Sequence, residues 1–103
     1  MRPLDYTPFK IDYLSIAKSL VLSVINNAEY NVFIYGSRAS NSNHRFSDLD
    51  IGIIGAKPLP VILLTELEEE LNNTRIPFKV DVVDFFKVDN AFKNEATKCI
   101  IRW

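Results

Sequence analysis

Two aspartates, Asp48 and Asp50, stand one residue apart in the apolar run SDLDIGII. Successive side chains of a β-strand point to opposite faces, so residues two positions apart share a face and both carboxylates should converge on one spot. Two anions at that distance repel each other, and burial adds to the penalty. A divalent cation that prefers oxygen ligands, such as magnesium, removes this penalty. The spacing therefore predicts a metal site, and the alternative is an exposed strand edge that simply ends a polar loop.

A third carboxylate on a neighbouring strand would complete a site for two metal ions, and the segment VDVVD offers Asp81 and Asp84. These two residues are three positions apart, so on a regular strand they face opposite sides and only one of them can join the pair. Asp81 stands mid-strand between two valines, where a purely solvated role is harder to sustain. Asp84 stands near the strand end and is expected to be exposed. We therefore predict Asp81 as the third metal ligand.

A Gly-Ser pair, Gly36-Ser37, follows the apolar run NVFIY. Glycine lets the backbone approach a ligand closely, and the N–H groups that follow it can bind an anion where a helix starts. The Ser37 hydroxyl adds one more donor. Such a corner could hold a polyphosphate. Gly-Ser pairs are common in turns, so the pair gains weight only through the aspartates downstream.

Alternating strands and helices are needed to bring these residues together. Apolar spacing predicts a helix from about Asp12 to Asn27 and strands over NVFIYG and SDLDIGII, the latter with Leu49, Ile51 and Ile53 on one face. A helix over VILLTELEEELNN then follows Pro60, and a third strand runs through PFKVDVVDFF. Asp12 is expected to cap the first helix, and Asp89 is expected to cap a last helix. The order predicts one α+β (mixed α/β) domain over residues 1–103, with a sheet of about three to five strands flanked by helices.

Composition limits the classes of function. The chain has 103 residues, a net charge of −1 and no basic excess for binding a nucleic-acid backbone. Cys99 is the only cysteine, which excludes a disulfide framework and a cysteine zinc site. It is expected in the core, on the buried side of the last helix, together with Phe92, Ala96 and Ile100. The chain shows neither a signal-peptide pattern nor an apolar run of membrane-spanning length, so the sequence predicts a cytoplasmic protein.

The order of these motifs resembles a known family. One pattern is similar to the signature of the DNA-polymerase-beta-like nucleotidyltransferase superfamily: Gly36-Ser37, followed after ten residues by Asp48-Leu49-Asp50. More closely, GSRA, SDLDI and VDVVDF resemble the minimal nucleotidyltransferases, short prokaryotic domains, and the similarity runs from Phe33 to Phe85 with the helix before. One departure is Asn41, where family members commonly have glycine. Asparagine tolerates the left-handed backbone conformation, so the turn should survive.

The resemblance implies a reaction and roles. The serine corner, with Gly36 and Ser37, would hold the nucleotide triphosphate, and two magnesium ions would be held by three catalytic acids, Asp48, Asp50 and Asp81. The implied reaction is in-line transfer of a nucleoside monophosphate, AMP from ATP, to a hydroxyl acceptor, with Asp81 able to help take the acceptor's proton. Arg38 either neutralises phosphate charge or is merely exposed. His44 is expected to be a solvated loop residue.

The resemblance also implies a partner. No acceptor-binding domain is visible in this chain, so the acceptor should be held by a homo-oligomer or by another protein. Minimal nucleotidyltransferases are often paired with a small helical protein of the HEPN class, and such pairs resemble toxin–antitoxin systems in which the antitoxin adds AMP to the toxin. The alternative is a module that neutralises a toxin by contact alone. The apolar segment CIIRW is the candidate for the surface that binds the acceptor, although Trp103 itself is expected to close the domain's own core rather than to contact a partner.

Overall fold

The computed structural model describes residues 11–44 and 46–103. The elements along the chain are α1 (Tyr13–Val24), β1 (Tyr30–Tyr35), a single 3₁₀ turn (Gly36–Arg38), β2 (Leu49–Gly55), α2 (Val61–Asn72), β3 (Val80–Asp84), α3 (Asn90–Ala96) and β4 (Ile101–Arg102). Asp12 caps α1, since one of its carboxylate oxygens accepts from the Ser15 backbone N–H at 3.1 Å. Asp89 caps α3 by accepting from the Phe92 N–H at 2.8 Å. Both caps agree with the sequence prediction.

The four strands form one mixed sheet in the order β3-β2-β1-β4. β1 pairs antiparallel with β2 and with β4, whereas β2 and β3 are parallel. A parallel pair needs a crossover, and α2 supplies it between β2 and β3. The α+β class and the strand number predicted from the sequence are therefore confirmed.

The sheet has two different faces. One face carries the main apolar core, in which the predicted stripe of β2, Leu49, Ile51 and Ile53, is fully buried together with side chains of α1 and α2. The other face carries a cluster of three buried rings, Phe33, Tyr35 and Phe85, against which Ala96 and Ile100 pack; we call it the aromatic cluster.

Gly52 makes room for the aromatic cluster. A Cβ at this position would lie 2.4 Å from a ring atom of Phe33 and 2.8 Å from one of Phe85. The face of β2 that carries Asp50 is therefore also the face that carries the rings.

The end of the chain differs from the sequence prediction. β4 was not expected, because two residues give no periodic signal. Ile101 and Arg102 pair with β1, and the Trp103 backbone N–H donates to the Val32 carbonyl at 2.9 Å. The Trp103 side chain packs against the main core, which confirms its expected role within the domain.

Two predictions of burial near α3 were wrong. Cys99 is exposed, and its thiol donates to the Ala39 carbonyl at 3.2 Å. Phe92 is 42% exposed, whereas Ala96 and Ile100 do pack against the aromatic cluster. The physical reason is that α3 ends at Ala96, so the helical spacing that would bury residue 99 does not continue. Within residues 11–44 and 46–103, no helix is long and apolar enough to cross a membrane.

Candidate active site

The turn after β1 is built around Gly36. Its backbone has φ +77°, a conformation that glycine adopts without strain, and its carbonyl accepts from the Ala39 and Ser40 N–H groups at 3.1 Å each. A Cβ at residue 36 would lie 2.6 Å from Oδ2 of Asp50. Gly36 is therefore required for its conformation and also because the Asp50 carboxylate lies directly against the turn.

Asp50 and Asp81 lie side by side on neighbouring strands. The register places Tyr35 opposite Asp50 on one side and Asp81 opposite Asp50 on the other. Asp50 is half-buried, and its carboxyl has a pKa above the ordinary value. Burial is the largest cause, followed by the charges of Asp81 and Asp48. Lys79 opposes this effect and lies 3.5 Å from Asp81 Oδ1. The negative charges of Asp50 and Asp81 therefore interact across neighbouring strands.

Asp48 comes just before β2 and is exposed. Its charge contributes to the raised pKa of Asp50, although the largest cause there is burial. The structure therefore brings both Asp48 and Asp81 within electrostatic reach of Asp50.

Asp84 was expected to be exposed, and that prediction was wrong. It is 5% exposed, and its two carboxylate oxygens accept from the backbone N–H groups of Leu59 at 2.9 Å and of Phe86 at 3.0 Å. It lies on the opposite face of β3 from Asp81, as their spacing predicted, and ties the segment before α2 to the end of β3. Of the two possible third acids, Asp81 is the one beside Asp50.

The donor chemistry of Asp48, Asp50 and Asp81 fits magnesium, because all three offer hard carboxylate oxygens and the half-buried one carries an unfavourable charge. Among the described residues, no three acidic, histidine or cysteine side chains form a ready-made set of metal ligands.

Arg38 joins the turn to the loop that carries Asp48. Its Nη2 and Nε atoms donate to the Ser47 carbonyl at 2.8 and 3.2 Å, and its guanidinium carbon lies 3.9 Å from the centre of the Phe78 ring. Burial lowers the pKa of Arg38, and the charge of Asp48 opposes that effect. The guanidinium is thus half-buried between the two segments rather than merely exposed.

Tyr35 is the residue of this site that sequence reasoning missed. It is 8% exposed, and its ring lies 5.1 Å from that of Phe85 in an edge-to-face contact. Burial, followed by the charges of Asp50 and Asp81, raises the pKa of its hydroxyl to about 12. The Tyr35 hydroxyl is therefore protonated at neutral pH and can act as a donor. Its place directly before Gly-Ser was the only signal in the sequence.

Comparison with known proteins identifies the family. The family described as "Polymerase beta, Nucleotidyltransferase" matches residues 23–101, which is most of the chain. The chain belongs to this family. It is a nucleotidyltransferase, and the resemblance stated from GSRA, SDLDI and VDVVDF is confirmed.

Three relatives of this nucleotidyltransferase are informative. The probable protein adenylyltransferase MntA of Haemophilus influenzae is 27% identical over 92 residues, 89% of this chain and 79% of that protein. One chain of a toxin–antitoxin crystal structure with AMP-PNP matches with a TM-score of 0.70 and 24% identity, over 90% of this chain and 73% of that one. The Shewanella oneidensis complex of a tri-AMPylated HEPN toxin with its MNT antitoxin matches with a TM-score of 0.62 and 17% identity, over 86% and 71%. At these identities, the two structural matches establish a shared fold.

Two smaller predictions about this nucleotidyltransferase can also be compared with its structure. Asn41 has φ +62°, so it adopts the left-handed conformation expected where relatives have glycine. His44 is exposed in the loop before β2, and its backbone N–H donates to the Ser47 hydroxyl at 2.9 Å. Both residues shape the loop between the turn and Asp48.

Proposed function

We propose that this nucleotidyltransferase transfers AMP from ATP to a hydroxyl group of a separate protein in a magnesium-dependent reaction. One observation carries the proposal. The Asp50 carboxylate lies against Gly36 and beside Asp81, so the turn that would hold a triphosphate and the carboxylates that would hold the metal ions are in contact. An in-line transfer needs that adjacency, because the reacting phosphorus must lie between its phosphate anchor and the metals.

The residues would share the work as follows. The Gly36-Ser37 corner would bind the triphosphate, and Asp48, Asp50 and Asp81 would hold magnesium. Bound magnesium would lower the pKa of the acceptor hydroxyl and neutralise charge on the departing pyrophosphate. The acceptor oxygen bonds to the α-phosphorus while the bond to the bridging oxygen of the pyrophosphate breaks. The Asp81 carboxylate is the candidate to receive the acceptor's proton.

Arg38 would serve this reaction indirectly. Its guanidinium donates twice to the Ser47 carbonyl, one residue before Asp48. We propose that it holds the Asp48 loop against the phosphate-binding turn. This differs from the direct phosphate contact considered from the sequence.

The proposed acceptor is a HEPN-type toxin, and the chain would be its antitoxin. Two relatives support the proposal. The Haemophilus influenzae relative is named as a probable protein adenylyltransferase, and the Shewanella oneidensis structure is a complex of an AMPylated HEPN toxin with its antitoxin. We also propose that residues 1–103 form one nucleotidyltransferase domain. The cytoplasmic location expected from the sequence stays a prediction.

The test uses the product of the open reading frame that neighbours the gene of this chain. ATP labelled at the α-phosphate, together with magnesium, should label that protein, whereas ATP labelled at the γ-phosphate should not. The second label separates AMP transfer from phosphorylation. Asp50→Asn should abolish the label without unfolding the protein.

Contact-only neutralisation makes a different prediction. In that case the Asp50→Asn variant would still bind the partner and suppress its toxicity. The unchanged protein would transfer no label from either form of ATP. That result would replace the proposed reaction with a binding role on the same fold.

A further inference from the structure

A pocket lies between the turn that begins at Gly36 and helix α3. Its volume is about 390 Å³, which is within the range of small-ligand sites, and its walls include Tyr35, Gly36, Ser40, Phe92, Ala96 and Cys99. Gly36 belongs to this wall and is also the residue against which the Asp50 carboxylate lies. A ligand anchored by phosphates at the turn could therefore extend directly into this pocket.

Phe92 offers the pocket an aromatic surface. Packing against Tyr35 and Phe85 fixes the ring, with centroid distances of 6.1 and 5.6 Å, yet the residue remains 42% exposed. A ring that is held in place on one side and exposed on the other needs no rearrangement to stack on a planar group. Stacking of a base on such a ring tolerates any base, because each has a π-face.

Tyr35 offers the pocket a hydrogen-bond donor. The residue lines the pocket and is more than nine-tenths buried. Within residues 11–44 and 46–103, its hydroxyl makes no hydrogen bond to protein atoms. A ligand with an acceptor atom at that point would therefore gain a hydrogen bond without displacing one made by the protein.

The charges around the pocket favour an uncharged occupant. Glu95 and Lys98 also line it, and they pair with each other at 3.0 Å on exposed side chains, so neither contributes an isolated charge. The remaining lining includes the rings of Tyr35 and Phe92 and the uncharged residues Ala96 and Cys99. This lining suits a flat heterocycle with a sugar better than it suits phosphate groups.

We propose that this pocket binds the nucleoside part of the nucleotide, with the base stacked on Phe92 and a polar atom of the sugar or base accepting from the Tyr35 hydroxyl. The proposal rests on the proposed function, since phosphates held at Gly36 are what bring a nucleoside here.

The experiment compares two ligands by calorimetry, both with magnesium: a non-hydrolysable ATP analogue and inorganic tripolyphosphate, which has no nucleoside. Phe92→Ala should weaken binding of the analogue by about 5- to 150-fold and leave tripolyphosphate binding unchanged. Tyr35→Phe keeps the ring and removes only the hydroxyl, and it should weaken the analogue by about 2- to 12-fold. Phe92→Leu keeps an apolar side chain without the π-face and should also lose affinity for the analogue alone. The Phe92→Leu variant also replaces the alanine variant in the test if the latter folds poorly.

Phe86→Leu is the matched control, because Phe86 is 50% exposed and lies outside the pocket wall. It should bind both ligands as the unchanged protein does. Unchanged analogue affinity in the Phe92 and Tyr35 variants would overturn the nucleoside pocket while the proposed function stands. The nucleoside pocket would also be overturned if those variants impaired only the labelling of the protein acceptor. If the unchanged protein bound neither ligand, the proposed function would fail and the pocket with it.

Discussion

At the scale of single residues, Gly36 and Asp50 act as a pair. Gly36 has a left-handed backbone, and the space where its Cβ would be is occupied by the Asp50 carboxylate. Asp50 is in turn half-buried and feels the charges of two other acids, so an unfavourable charge is packed against a turn with a left-handed backbone. Substitutions at these two positions should therefore be coupled.

Gly36→Ala should lower the free energy of unfolding by about 1–2 kcal/mol from backbone strain, with an additional loss from the clash with Asp50, and should abolish transfer. Urea unfolding measures the first effect. Repeating the substitution in an Asp50→Ala background removes the clash, so the loss of stability should be smaller there. An equal loss in both backgrounds would show that the contact with Asp50 does not matter.

Asp50→Asn should raise the melting temperature of the metal-free protein at neutral pH. Burial and the charges of Asp81 and Asp48 raise the pKa of Asp50, so between its ordinary pKa of 3.8 and its raised pKa the folded state binds more protons than the unfolded chain. This contribution to stability is therefore lost as the pH rises through that window, and the ionised carboxylate is unfavourable at neutral pH. The variant lacks that charge.

Thermal melts in a chelator provide the measurement for Asp50→Asn. The gain should shrink as the pH is lowered and should be lost below 3.8, where the carboxyl is protonated in both states. Added magnesium should stabilise the unchanged protein more than the variant. A variant that melts below the unchanged protein in chelator at neutral pH would contradict this account of Asp50.

At the scale of elements, side chains from distant segments hold the loops that carry the site. Asp84 joins the segment before α2 to the end of β3 through the Leu59 and Phe86 N–H groups. Arg38 joins the turn after β1 to the loop before β2 through the Ser47 carbonyl. Both contacts are made to backbone atoms, so each fixes the path of a loop.

Asp84→Asn and Asp81→Asn should separate stability from transfer. Asp84→Asn should cost about 1–3 kcal/mol of unfolding free energy, because one of the two backbone N–H groups would face an amide donor, while the folded fraction keeps its activity. Asp81→Asn should leave stability nearly unchanged and abolish transfer. Urea unfolding and the labelling assay provide both values. The reverse pattern would assign the third acid to Asp84.

Arg38→Lys should raise the magnesium concentration needed for half-maximal transfer, because lysine cannot donate twice to Ser47 or stack on Phe78 as a planar group. The KM for ATP should change little. Phe78→Leu, which removes the ring under the guanidinium, should shift the magnesium dependence in the same direction. A raised KM for ATP with unchanged magnesium dependence would instead indicate direct phosphate binding by Arg38.

At the scale of the whole molecule, the two faces of the sheet differ in what they carry. One face packs on α1 and α2 and holds the main core, whereas the other carries the acids, the aromatic cluster and α3. β4 and Trp103 close the β1 side of the sheet. The site is therefore built on the face with less helical cover.

Trp103→Ala should lower the free energy of unfolding by about 1–3 kcal/mol, because the half-buried indole packs against the main core. Circular dichroism is the suitable measurement, since Trp103 is the only tryptophan and its fluorescence is lost with the substitution. Partner binding by the folded variant should be retained. Unchanged stability with lost partner binding would place Trp103 in the intermolecular contact instead.

The features that the sequence by itself determined are local in origin. Alternation placed Leu49, Ile51 and Ile53 opposite Asp50, and the caps at Asp12 and Asp89 marked two helix starts correctly. These signals arise within a few residues, where backbone geometry dictates which side chains share a face. The Gly-Ser and aspartate motifs likewise predicted the family, because their spacing along the chain is itself the signal.

Only the tertiary structure decided which side chains meet across the sheet. Asp84 is buried where it accepts from the Leu59 N–H, and the two-residue strand β4 forms only by pairing with β1. The Arg38 guanidinium is positioned by stacking on the Phe78 ring. Each contact joins segments that lie far apart in the chain, so no periodicity or local propensity encodes it. The Tyr35 hydroxyl and the pocket beside α3 belong to the same class, because they exist only once β1, the turn and α3 are packed together.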